Sequence, residues 1–228
     1  MAIKRGVFLF LLMTFLSLST YADDTDKVQL EKALAYFNSE KYHEALLIFQ
    51  RLDTDYKLND RFRAYIGLCY YYEWDYDKAV AYLDEVLPRL SMLSPSEQLV
   101  YFYAVGESYF QLGNYENASE RYLVALQLAH KGERAEIYYK LAVAQMFLKA
   151  WQVAADYFSL AERAYSTYRS SEDWQARLSQ IERMKIGCLA KVMEDSQTSN
   201  CVVCSLLKRS VSASLSLHVS CYYHPSKP

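Results

Sequence analysis

Gly106-Glu107-Ser108-Tyr109-Phe110-Gln111-Leu112-Gly113-Asn114-Tyr115-Glu116-Asn117-Ala118, carried on by Tyr122 and Ala125, is the stretch whose reading decides the fold. A small residue is followed three later by an aromatic, then by a Gly-Asn break. Beyond the break, Tyr115, Ala118, Tyr122 and Ala125 recur at spacings of three and four, so the stretch describes two amphipathic helices joined by a tight turn. Gly106 and Ala118 are small enough to let two helix axes approach, and Tyr109 fills the wedge beside them. The unit is a helical hairpin.

The same pattern stands on both sides of it. Ala33, Tyr36, Tyr42, Ala45 and Phe49 return as Gly67, Tyr70, Tyr76, Ala79 and Leu83, each displaced by 34 residues. A displacement of 39 leads to Gly106, Tyr109, Tyr115, Ala118 and Tyr122, and one of 36 to Ala142, Gln145, Trp151, Ala154 and Phe158. The extra residues fall between hairpins, in Ser91 to Ser96 with its Pro95 and at Lys131-Gly132, where breaker residues belong. Composition agrees with long regular segments: only six Gly and four Pro interrupt a chain that is 52% apolar and holds 22 Tyr, so the fold class is all-α. A formal charge of −2, from 25 basic and 27 acidic residues spread along the chain, supplies no basic field and argues against nucleic acid as a partner.

A period of 34 with these residues resembles the tetratricopeptide repeat family. The third copy matches best. The large residue four before the small one is Phe102 and Tyr138 in the last two copies but Gln29 and Arg63 in the first two, and the proline that often ends the unit is missing throughout. The resemblance implies a right-handed α-solenoid of about four hairpins over residues 26–59, 60–93, 99–132 and 135–168. A capping helix follows over 171–195, with Trp174, Leu178, Ile181, Cys188 and Val192 on one face. Ser170 and Ser171 can cap its start.

In the family, ligands bind along the inner face lined by the first helix of each hairpin, at repeat positions 2, 5, 9, 12 and 13. Carried over, this implies partner contacts from Leu34 and Phe37 in the first unit, with Leu30 and Asn38 beside them, and from Tyr71 and Tyr72 in the second, with Ala64 and Leu68. The third unit adds Tyr103, Glu107 and Phe110, and Gln111. The fourth adds Tyr139, Met146 and Phe147, and Val143. None of these is Lys or Arg, so the carboxylate clamp of one well-known subgroup is not supported. An aromatic groove suits an extended or helical segment with apolar anchors. Packing between adjacent first helices suits the same aromatics.

The ends of the chain differ in style from the repeats. Lys4 and Arg5, an apolar run from Val7 to Leu18, Thr20-Tyr21-Ala22 and then Asp23-Asp24 have the layout of a cleavable secretory signal over residues 1–22, an uncleaved anchor or a buried helix being the alternative. Cleavage after Ala22 removes two bases and no acid, leaving 23 basic against 27 acidic residues and a net charge of −4. Residues 196–228 carry nine serines and no acid, and Val211, Ala213, Leu215, Leu217 and Val219 alternate with polar residues, which predicts disorder or a short strand. Cys201-x-x-Cys204, His218, Cys221 and His224 are ligand types for zinc, but a lone CxxC is a weak signal and export also permits a disulfide.

Catalytic patterns are absent: there is no P-loop, dinucleotide glycine pattern, nucleophile elbow or His-Glu-x-x-His, and no cofactor is called for. Asn117-Ala118-Ser119 fits the glycosylation sequon by chance, on the repeat signature itself. The expectation is a non-enzymatic scaffold or adaptor of an extracytoplasmic complex, periplasmic or secreted, that binds a protein or peptide. Its only link to a membrane is the leader or a partner. A sensory input module of a membrane signalling protein and a metal or redox protein centred on the tail are the alternatives.

Overall fold

The computed structural model describes the backbone of residues 25–168 and 174–219 and the side chains of residues 25–167 and 174–197, so the leader and Ser170-Ser171 lie outside the described residues. Among the described residues the chain forms nine α-helices and no strand. They are α1 (25–38), α2 (Tyr42–Tyr56), α3 (Asp60–Tyr72), α4 (Tyr76–Val86), α5 (Pro95–Gln111), α6 (Tyr115–Leu128), α7 (Arg134–Phe147), α8 (Trp151–Tyr168) and α9 (Gln175–Val219). Consecutive pairs α1/α2, α3/α4, α5/α6 and α7/α8 make four hairpins. These stack in order, α2 on α3, α4 on α5 and α6 on α7, into an α-solenoid that α9 closes by packing on α8.

Each hairpin turns in the same way. Glu40, Trp74, Gly113 and Lys149 sit in the left-handed region, with φ of 59°, 63°, 77° and 59°, at the same displacements that separate the sequence copies. The residue after each returns its N–H to a carbonyl five back: Lys41 to Tyr36, Asp75 to Tyr70 and Asn114 to Tyr109 at 2.9 Å, and Ala150 to Gln145 at 3.0 Å. This is a Schellman ending, which satisfies carbonyls that a helix otherwise leaves open. Three of the four positions hold a side chain where glycine is favoured, at a cost of about 1 kcal/mol each. The second helix then starts at once, and in two units a cap helps it: Asp75 accepts from the Lys78 N–H and Asn114 from the Asn117 N–H.

Within a hairpin the small residue sets the distance between helices. A Cβ added to Gly67 would lie 2.5 Å from Leu83 Cγ, and one added to Gly106 would lie 2.7 Å from the ring of Tyr122. Ala33 and Ala142 hold the equivalent places in the same clusters as Phe49 and Phe158, both fully buried. Between hairpins the signature tyrosine does the joining. Tyr70 accepts from the Gln50 amide of α2, and Tyr109 donates to Asp84 of α4, one repeat later.

Two expectations about the end of the chain change. The closing helix was expected to stop near residue 195, with a strand over 211–219 possible; the backbone instead stays helical to Val219. Val211, Leu215 and Val219 are four apart, so they satisfy helical spacing as well as alternation. A lone strand would leave its backbone groups without a ladder, whereas a helix pairs its own. At the start of α9, Ile181 and Cys188 are buried against α8, Trp174 stacks on Tyr165 with ring centroids 5.2 Å apart, and Lys185 pairs with Glu162. No helix among the described residues is long and apolar enough to cross a membrane.

The two glycines in the third unit should fail differently. Gly106→Ala is expected to lose about 1–3 kcal/mol through crowding against Tyr122. Gly113→Ala, whose Cβ meets nothing within 4 Å, should lose about 1 kcal/mol from backbone strain alone. Urea unfolding followed by circular dichroism reads both, and a wild-type midpoint for Gly106→Ala would contradict the close approach.

Candidate functional site

The first helices of units two, three and four share a pocket of about 410 Å³. The end of α3 contributes Tyr71 and Tyr72, and the start of α5 contributes Leu99, Val100, Tyr103 and Ala104. The start of α7, with the turn before it, contributes Glu133, Glu136 and Ile137. Leu99, Ala104 and Ile137 are buried and form an apolar floor, while Tyr72 and Val100 remain 40% and 46% exposed at the lip. The α5 wall stands here because Ser94 accepts from the Glu97 N–H and Pro95 fills the first turn, starting the helix within the inserted Ser91 to Ser96.

Tyrosine hydroxyls and two carboxylates are its polar groups; no Lys or Arg lines it. Tyr103 has its phenol pushed well up, first by burial and then by the charges of Glu107 and Glu136. Tyr71 is pushed up by burial and next by Glu107. Of the rim acids, Glu133 accepts the His130 N–H at 2.8 Å, and Glu136 accepts from the Tyr165 hydroxyl and lies 3.9 Å from the Arg177 guanidinium.

The ten residues expected on the inner face divide. Tyr71, Tyr72 and Tyr103 meet in the pocket. Phe110 and Phe147 form a second aromatic patch with Tyr115, which stacks on Phe147 at 4.6 Å, and Phe147 is 49% exposed. Phe37 sits edge-on to Tyr65 at 4.8 Å and to Tyr42, and Leu34 packs on the same first core cluster. Tyr139 is buried with the Arg177 guanidinium 4.4 Å over its ring, and Met146 packs on the α7/α8 core. Glu107 is not open to a ligand: it is 7% exposed, takes the Tyr122 hydroxyl and pairs with Lys140 Nζ at 2.6 Å, joining α5, α6 and α7.

Position 13 of the repeat shows why the aromatics split between packing and surface. Tyr72 stacks on Tyr42 of the previous unit, 4.0 Å apart and 11° from parallel, and Phe147 stacks likewise on Tyr115. The third unit has Gln111 there, so the ladder breaks between units two and three. Val100 and Glu136 were missed as candidates. Both occupy position 2 of their units, so the repeat register alone could have found them. Glu133 lies before the hairpin and carries no such signal.

No group of three or more His, Cys, Asp or Glu among the described residues could hold a metal. The side chains of Cys201, Cys204 and His218, and all of Cys221 and His224, lie outside the described residues. Cys69 is free and fully buried, and burial pushes its thiol from 9.0 to about 12. Asn117 and Ser119 sit at the base of α6, where Ser119 is buried and accepts from the Gln145 amide at 3.2 Å.

The fold is an α-solenoid of helical hairpins of the kind seen in tetratricopeptide proteins. MamA residues 41 to the end from Desulfovibrio magneticus RS-1 superpose with a TM-score of 0.56 at 17% identity, covering 76% of this chain and 96% of that one. MamA MSR-1 gives 0.54 at 20% identity over 64% and 79%, and the apo form of RapI gives 0.59 at 14% over 74% and 64%. No protein-family model and no curated protein matches the sequence. At such identities the likeness is one of fold.

Two measurements probe the buried groups. Glu107→Ala strands Lys140 without its partner and is expected to lose about 2–3 kcal/mol, below the range for a fully buried pair because Lys140 keeps 22% of its side chain exposed. Glu107→Gln should lose less, since its amide still meets Tyr122. Cys69, Tyr101 and Tyr122 all have raised pKa values in the fold, so the unfolded chain ionises first. Stability should hold below pH 9 and fall as pH rises from 9 through 12; a urea midpoint unchanged to pH 11.5 would contradict the burial.

Proposed function

We propose that this chain is a non-enzymatic scaffold that holds a protein or peptide segment in the aromatic pocket of its inner face, as an adaptor in an extracytoplasmic complex. One observation carries the reading: two successive first helices place Tyr71, Tyr72 and Tyr103 around one pocket of about 410 Å³, and a third adds Ile137 to its apolar floor. Tyr supplies large contact area for two χ angles, so little side-chain entropy is lost when a partner is held. A segment with apolar anchors would fill the floor over Leu99 and Ile137. The exported address rests on residues 1–22, whose charge, apolar run and small residues have the layout of a secretory signal.

Tyr71 and Phe110 are poor probes of this site. Tyr71 also packs on the core between units two and three, and Phe110 belongs to the other patch. Tyr72→Ala and Val100→Lys change the exposed lip instead. The pair should keep the helical signal and a stability within about 1 kcal/mol of wild type, while crosslinked partners recovered from the cell envelope fall at least tenfold. Equal recovery by the variant would overturn the pocket as the binding site. Residues 1–22 fused to alkaline phosphatase, which is active only outside the cytoplasm, should give activity; an inactive, full-length fusion would overturn the export.

A further inference from the structure

We infer that the inner pocket selects a segment carrying a cationic side chain, an arginine or lysine set between apolar residues. The inference rests on the peptide-binding reading above and specifies its chemistry. The two carboxylates of the pocket, Glu133 and Glu136, face no basic side chain within the lining, and three tyrosine rings stand beside them. A carboxylate has about four acceptor sites. Glu133 spends one on the His130 N–H, and Glu136 receives one hydroxyl and a guanidinium no nearer than 3.9 Å, so both keep acceptor capacity for a donor from outside.

The surrounding cations are committed elsewhere: Lys140 to Glu107 at 2.6 Å, and Arg61 to Glu97 at 2.7 and 3.1 Å. Arg177 is shared between the Tyr139 ring, 4.4 Å away, and a 3.9 Å contact with Glu136. A pocket with acidic edges and aromatic walls, in which Glu136 meets Arg177 only at 3.9 Å, attracts a guanidinium or ammonium by both carboxylate pairing and the ring faces. An acidic or terminal-carboxylate ligand would meet repulsion from the same groups. The apolar floor of Leu99, Ala104 and Ile137 accepts the methylene stem and the flanking apolar residues.

The test is a random heptapeptide display library panned on the folded chain, with enriched peptides remeasured by fluorescence anisotropy. Enriched sequences should share an Arg or Lys beside apolar residues, and replacing that Arg by citrulline, which keeps the shape and loses the charge, should weaken binding at least tenfold. Glu133→Gln with Glu136→Gln should cause a similar loss. Because Glu136 also holds Tyr165, Val100→Lys serves as a second variant: it adds a charge at an exposed position and should weaken binding tenfold, while Val100→Gln retains it. Enrichment of neutral or acidic peptides, or indifference to citrulline and to Val100→Lys, overturns the cationic assignment and leaves peptide binding standing. No enrichment overturns both. Self-association that Val100→Lys abolishes, without peptide binding, overturns the assignment in favour of a second copy of the chain.

Discussion

The approach of two helices at a side chain that is barely there governs this structure. Where Gly67 faces Leu83 and Gly106 faces the ring of Tyr122, no Cβ fits, and the two helices of the hairpin settle at a separation fixed by that contact. The Schellman turns at Glu40, Trp74, Gly113 and Lys149 reproduce one reversal in every unit. Constant separation and constant reversal bring the signature tyrosine of one unit within reach of the preceding unit's second helix, as in Tyr70 with Gln50 and Tyr109 with Asp84. A stack of like units follows from these contacts between neighbours alone.

The pocket arises where the units are least alike. Gln111 breaks the aromatic ladder that Tyr42–Tyr72 and Tyr115–Phe147 build on either side, and the inserted Ser91 to Ser96 supplies a fresh helix start that Arg61 and Glu97 tie to the start of α3. Glu107 and Lys140 meanwhile tie α5 to α7, two of the helices that line the pocket. The pair is costly to desolvate and is best read as holding geometry, since a buried ion pair adds little net stability.

Much of the fold was legible because each signature residue is bound by local geometry. Spacing of small and aromatic residues from Ala33 to Phe158 sets helix, turn and close contact together, so four registers agree. The candidate site was legible in part. Repeat register reaches Tyr71, Tyr72 and Tyr103, and position 2 would have reached Val100 and Glu136. Register does not say which inner-face residues neighbouring units consume: Glu107 and Tyr139 are taken by Lys140 and Arg177, residues 33 and 38 positions away in the chain. The end of the chain misled because Val211, Leu215 and Val219 fit both a strand and a helix, and only the backbone's need for partners separates the two.

Methyl NMR of the folded chain, titrated with a heptapeptide that sets one arginine between leucines, tests the central claim most directly. The methyls of Leu99, Val100 and Ile137 should shift saturably, and the same peptide with citrulline should shift them at least tenfold more weakly. Shifts that gather instead at Leu112 and Leu148, beside the Phe110 and Phe147 patch, or equal shifts with citrulline, would contradict it.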